Sequence, residues 1–403
     1  MPPILSPAAE AARHVDSLGA AALAKSASYT AGSEMLMIAG VLVSVFIAWL
    51  MVRLRLLDRL AVRLGGWRRA ASTLVIGFLF FLVSDMLRLP WTMFADWQFQ
   101  RSYDLSSQPF GDFLAQSALG SVISALFGAL FILGIYALIR RAGRRWWVWA
   151  GALTTLFTAA MLLIVPVAVE PLFNDYKPVP QGPVRAELEK IADRTGIPHD
   201  RIFMFDGSRQ SDIFTANVSG IGPAARIAIS DIALGRASLD EVKAVTAHEA
   251  GHYMLGHVWR HIVVLPLLAF IVLALIDRLF APAARFLGSK AELGDPVGLP
   301  VFMALVSCLS LLTVPAVNSL TRIGEAQADA YALETTHLPD ALSSALLKTA
   351  EYRYPRPHPL QELVFYSHPS VEKRIRAAME WKAAHRGGKE SERSGQQRQD
   401  DPR

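Results

Sequence analysis

Six long apolar runs constrain this chain more than any other feature. They occupy residues 35–52, 73–92, 118–139, 146–169, 261–281 and 299–320, each close to the ~20 residues a helix needs to cross a bilayer. Within hydrocarbon every backbone N–H and C=O must be paired inside the chain, so runs of this length predict membrane helices. The 52% hydrophobic and 19% charged content, with a mean hydropathy of +0.31, exclude a pair of ordinary soluble domains. The basic balance, a net charge of +5, is not a nucleic-acid signature, because the arginines sit in short loops beside the apolar runs. A lipid bilayer is the partner they imply. Asp85 and Arg88 interrupt the second run at a spacing that permits an ion pair near the helix end, the alternative being that they line a hydrated cavity. Cys308, the only cysteine, lies in the sixth run, where it is expected as a small packing residue; it excludes a disulfide or thiolate metal site.

Between the fourth and fifth runs the chain is polar and holds His248-Glu249-Ala250-Gly251-His252. On a helix, residues four apart share a face, so His248 and His252 can offer ring nitrogens to one metal while Glu249 projects beside it. Zinc held by three protein ligands keeps a position for water and lowers that water's pKa, and a glutamate in this motif acts as general base. Ser238-Leu239-Asp240-Glu241 has the form of a capping box, and no proline follows before Arg260, which predicts about six helical turns over 239–260. His257 and His261 are expected on that same helix, off the ligand face. Glu325, in Gly324-Glu325-Ala326-Gln327-Ala328-Asp329, is the candidate third ligand, with Asp329 on the same helical face as a hydrogen-bond acceptor for a ligand histidine. His368, taken alone, reads as a loop histidine beside a helix, with Arg374 six residues on.

Residues 1–34 lack the basic start and continuous apolar core of a cleavable signal peptide and are expected as a tail, followed by a four-helix membrane region at 35–169. The catalytic module is expected at 170–260, two membrane helices at 261–320, the rest of the module at 321–385 and a disordered tail at 386–403. Within the module, Pro183 to Gly196 reads as an amphipathic helix, and Ile202–Phe205 and Ile227–Ile229 as two strands, one of them a possible edge for pairing with an extended peptide.

With these residues in view, the chain resembles the type I CAAX prenyl endopeptidases, integral-membrane zinc metalloproteases. The likeness runs from about Ser28 to Lys382 and is most specific in Pro166–Asn174, Phe205-Asp206-Gly207-Ser208, the His-Glu-Ala-Gly-His string, Glu325–Asp329 and Ser367-His368-Pro369. It implies a predominantly α-helical multispanning membrane protein of about six transmembrane helices with a zincin-like α+β catalytic module. It also implies one Zn²⁺ per chain on His248, His252 and Glu325, Glu249 as general base, Asp329 supporting a ligand, and His368 and Arg374 contacting the substrate or transition state. The family's edge strand carries an Asn-Ala pair five residues before a glycine; here Thr215-Ala216 stands before Gly220, with Asn217 displaced. The eukaryotic members begin with a further membrane helix that residues 1–34 are too polar to replace, and a bacterial cytoplasmic membrane is the expected location. The expected substrate is a peptide or protein, prenylated or membrane-associated. Sidedness is open. Arg53, Arg55, Arg59, Arg63, Arg68 and Arg69, with four more arginines at 140–145, place those loops in the cytoplasm and the module outside, whereas the resemblance implies a cytoplasmic module. The competing reading is a non-catalytic transporter or scaffold with a structural zinc.

Overall fold

The structure, a computed structural model, describes residues 5–220 and 222–399, without the side chains of 223 and 386–399. Of the tail expected as disordered at 386–403, the backbone of 386–399 continues the last helix, and 400–403 lie outside the described residues. Five continuous helical stretches are long and apolar enough to cross a membrane. One of them, Phe110–Leu172, has 63 residues. At ~1.5 Å per residue it would measure about 95 Å, three times a bilayer core. It folds back at Gly143, where φ is +53°, so that α4 (Phe110–Ala142) and α5 (Trp146–Ile164) lie side by side. The Phe131 and Phe157 rings meet across them at 4.7 Å, and a Cβ on Gly134 would sit 2.6 Å from Leu153. With α2 (Gly19–Arg53), α3 (Arg69–Thr92), α8 (His257–Leu287) and α9 (Leu299–Thr336), six crossings result, sharing a core around Phe80, Ile135, Trp146, Ile276 and Phe302.

Several helices outrun the apolar segments that predict them. The 38 residues of α9 measure about 57 Å, nearly twice a bilayer core, so the helix is long enough both to cross a membrane and to carry Glu325 and Asp329 beyond it. Within the stretch 1–34 expected as a tail, the described residues form α1 (Pro7–Asp16) and the first turns of α2. Ala11 and Val15 of α1 are fully buried against Ala244, Ile375 and Met379, which seals the module from outside. Arg88 and Asp85 do not form that ion pair among the described residues. Arg88 donates instead to Ser44 Oγ at 2.6 Å and the Gly40 carbonyl at 3.1 Å on α2. Cys308 faces outward from α9 and is exposed, not packed.

The polar module is built on a four-stranded sheet in the order β1-β2-β4-β3, with β1 Tyr176–Pro178, β2 Ile202–Phe205, β3 Ala216–Ser219 and β4 Arg226–Ser230. The parallel β2–β4 pair corresponds to the two strands read from the sequence; β4 is buried at every position. Neither is an edge: β1 and β3 flank them antiparallel. The amphipathic helix is α6, Pro183–Thr195, closed by Gly196 in the left-handed region (φ +70°), with Leu188 and Ala192 buried on the sheet.

Candidate active site

The histidines stand on α7, Leu239–Met254. Its start is a complete capping box, with Ser238 Oγ accepting from the Glu241 amide at 3.3 Å and Glu241 Oε2 accepting from the Ser238 amide at 2.6 Å. Lys348 (2.8 Å) and Ser344 (2.7 Å) of α10, Pro339–Lys348, also donate to the Glu241 carboxylate and tie the two helices together. The helix is shorter than the six turns expected. It ends at Met254, and Gly256, with φ +64°, redirects the chain into α8, so His257 and His261 begin a different helix.

Gly251 lets α7 and α9 touch: a Cβ there would lie 3.1 Å from Tyr331 Cβ and 3.2 Å from Ala328 Cα. That approach brings Glu325 between the histidines. One ligand atom each from His248, His252 and Glu325 lies within 4.8 Å of the others. His248 Nε2 is 3.3 Å from Glu325 Oε2, His252 Nε2 is 3.4 Å from Oε1, and the two Nε2 atoms are 3.2 Å apart. His368 joins them, its Nε2 3.3 Å from Glu325 Oε1, so it is no bystander in a surface loop.

Both candidate ligand imidazoles are gripped from behind. His248 Nδ1 lies 2.8 Å from Asp329 Oδ1, as the helical spacing of Glu325 and Asp329 predicts. Arg374, on α11 (Val371–Gln399), donates Nε and Nη2 to the two oxygens of Asp329, each at 2.7 Å. His252 Nδ1 lies 2.8 Å from His257 Nδ1, and His257 Nε2 3.1 Å from Gln327 Oε1, which also accepts from Arg260 Nη1 at 3.1 Å. Gln327 Oε1 only accepts, so a neutral His257 carries its hydrogen on Nε2, accepts from His252 Nδ1–H, and leaves His252 Nε2 as a lone pair. Gly324 provides the room, since a Cβ there would sit 2.7 Å from Arg260 Nη2 and 3.3 Å from His257 Nδ1. The sequence reading missed His257 and Gln327, whose relevance depends on the break at Gly256.

Burial alone would lower the His248 pKa, but the Asp329 and Glu325 carboxylates outweigh it and raise it to about 9. Burial raises the two acids, yet His248 and His252 hold Glu325 well below its usual range, and Arg374 brings Asp329 to about 2. Burial and then the Arg353 cation lower His368 to about 3, which keeps it neutral. Glu249, desolvated beside them, is raised. A carboxyl group with raised proton affinity, aimed into a cleft, is suited to taking and returning a proton. The cleft holds about 280 Å³ and is lined by His248, Glu249, Glu325, His368 and Arg374 together with Phe214, Thr215 and Ala216, the last of which begins edge strand β3. Asn217 of β3 pairs in register with Ala228, and its Oδ1 is buried without a partner among the described residues.

A family model described as peptidase family M48 matches residues 178–382, and another, described as CAAX prenyl protease N-terminal, five membrane helices, matches 8–175. The chain is 28% identical over 344 residues to the uncharacterized metalloprotease YhfN of Bacillus subtilis, spanning 82% of this chain and 80% of that one. It is 28% identical over 301 residues to a CAAX prenyl protease 1 homolog of Arabidopsis thaliana, spanning 73% and 70%. The crystal structure of S. mikatae Ste24p has the same fold, with a TM-score of 0.74 over 90% of each chain at 20% identity.

Proposed function

Because the chain belongs to peptidase family M48 and is an integral-membrane metalloprotease of the CAAX prenyl protease type, we propose that it is a zinc endopeptidase acting on peptides or proteins at the membrane. The convergence of His248, His252 and Glu325 carries the reading. Two imidazole nitrogens and a carboxylate oxygen are a zinc donor set of the three-ligand, catalytic kind. The structure supports the fit: both outer ring nitrogens are bonded, and Glu325 Oε2 is buried and makes no hydrogen bond among the described residues, although His248 Nε2 and Arg374 Nη2 stand 3.3 and 3.4 Å away. When bound, zinc supplies Lewis acidity to the scissile carbonyl and acidifies the attacking water.

The side chains do the rest. Glu249 takes the proton of the attacking water and delivers it to the leaving amine. Asp329 and His257 fix the ligand imidazoles, each by a bond to an outer nitrogen. His368, neutral and at the cleft, donates to the oxygen that gains charge during attack. Arg374 lines the cleft, but two of its nitrogens are committed to Asp329, so its principal part is to hold that carboxylate. An extended substrate adds to β3 and lies over the metal site. We place the protein in a bacterial cytoplasmic membrane, in keeping with its likeness to the Bacillus protein.

The test compares purified chain and its Glu249→Gln variant on prenylated and unprenylated reporter peptides, with and without a chelator. The variant should lose at least ~10²-fold in kcat while keeping its zinc. Equal hydrolysis by the two proteins, or no hydrolysis by the zinc-loaded parent, refutes the reading, and the latter favours a transporter or scaffold.

A further inference from the structure

We propose that Arg353 is a subsite in the cleft for a carboxylate of the substrate and sets the enzyme's preference among peptides, an inference that rests on the peptidase reading of the same cleft. Arg353 follows α10 and lines the cleft with Glu249, His368 and Arg374. The two cations there are not equivalent. Arg374 is bonded through Nε and Nη2 to Asp329, whereas Arg353 has no hydrogen bond and no ion pair within 4 Å among the described residues. Its neighbour Tyr352 offers only a distant ring face, 5.8 Å from Cζ. The carboxylate of Glu325 is already engaged by His248, His252 and His368.

A partly desolvated guanidinium without an anion costs free energy, and a bound anion would offset it. The same cleft is lined in part by apolar side chains, Phe214, Leu342 and Leu346 among them, which reduces the screening of an ion pair formed there. Burial pushes the Arg353 guanidinium down and the nearby Arg374 cation adds to this, against opposing pulls from Tyr352 and Glu325. A single planar fork matches one carboxylate through two parallel N–H···O bonds. A peptide can present that group as its free C-terminus or as an acidic side chain.

Binding distinguishes these sources and remains readable without turnover. The zinc-loaded full-length Glu249→Gln protein, in detergent, is titrated with one fluorescent peptide in three forms: free C-terminus, C-terminal amide, and amide with an internal glutamate. The free-acid or the glutamate form should bind about 10- to 100-fold more tightly than the plain amide, and whichever does so identifies the source. Adding Arg353→Gln should remove the preference, and Arg353→Lys, which keeps the charge but not the fork, should retain a smaller one. Equal affinity for all three forms overturns the proposal. So does a preference that survives Arg353→Gln, or one undiminished in Arg353→Lys should the glutamine variant fail to hold zinc. Loss of peptidase activity in the parent would sink the functional reading without touching this comparison.

Discussion

Replacing Arg374 by methionine removes a buried guanidinium of similar length and leaves Asp329, itself only 5% exposed, without its two 2.7 Å donors. Breaking one side of a buried pair costs about 3–5 kcal/mol, because the remaining charge stays desolvated. Asp329 escapes part of that cost by taking up a proton, since Arg374 is what holds its pKa at about 2. A protonated Asp329 accepts poorly from His248 Nδ1–H, and His248 loses the partner that fixes its tautomer and ring plane. Loss of such a support lowers metal affinity by about 10- to 100-fold. Competition between purified protein and a chelator of known zinc affinity measures this directly, with metal content read by elemental analysis. Arg374→Lys, which keeps the charge but not the two-point bond, should fall between parent and methionine variant. If Arg374→Met binds zinc as tightly as the parent and loses only kcat, then Arg374 acts on the substrate and the positional argument fails.

His257→Ala should likewise weaken zinc retention by about 10- to 100-fold in the same competition, because it removes the acceptor that orients His252; undiminished affinity would show that the bond is incidental. Gly251→Val should cost about 1–3 kcal/mol and strip the zinc, since its side chain must part α7 from α9 and so Glu325 from the histidines; stoichiometric metal in a folded variant refutes that close approach. Glu241→Ala should lower the unfolding temperature at neutral pH, equivalent to about 1–3 kcal/mol from the cap and the Lys348 bond. Burial alone would raise the Glu241 pKa, but its bonds to Lys348, Ser238 and Ser344 leave it lowered. Its contribution is therefore complete above the unfolded value near 4.5 and disappears as pH falls through the folded one, where parent and variant melting curves should converge; a gap that widens in acid contradicts the assignment.

The sequence exposes those parts of the fold whose physics is local. Apolar runs of bilayer length need no tertiary information, and the Ser238–Glu241 cap and the i,i+4 spacings of His248/His252 and Glu325/Asp329 are properties of single helices. Legibility stops where one element depends on another. Strands β1 and β3 are only three and four residues long, too short for a decisive pattern even though Ala216 and Val218 of β3 alternate inward, and they form on the bonding edges that the buried β2–β4 pair leaves. The absence of proline before Arg260 does not mark the helix end at Gly256, because a glycine at φ +64° stops a helix as well. That single break sends His257 back against His252. Helix α1 lacks length and apolar content of its own and is ordered by the groove it fills beside Ile375 and Met379. Asp85 and Arg88 could pair along one helix, yet Ser44 on the neighbouring helix offers Arg88 a bond at 2.6 Å. Arg353 carries no motif at all, and only its position on the cleft wall distinguishes it from other arginines.

The central claim is that His248, His252 and Glu325 hold one zinc ion. X-ray absorption at the zinc edge of purified protein tests it most directly, compared between the parent and Glu325→Ala. The parent should contain one zinc with two imidazole nitrogens near ~2.0–2.1 Å, the remaining ligands oxygen and no sulfur. Glu325→Ala should lose the metal or replace one oxygen with solvent. A sulfur shell, a metal-free parent after purification without chelator, or a spectrum and affinity unaltered by Glu325→Ala would contradict the account.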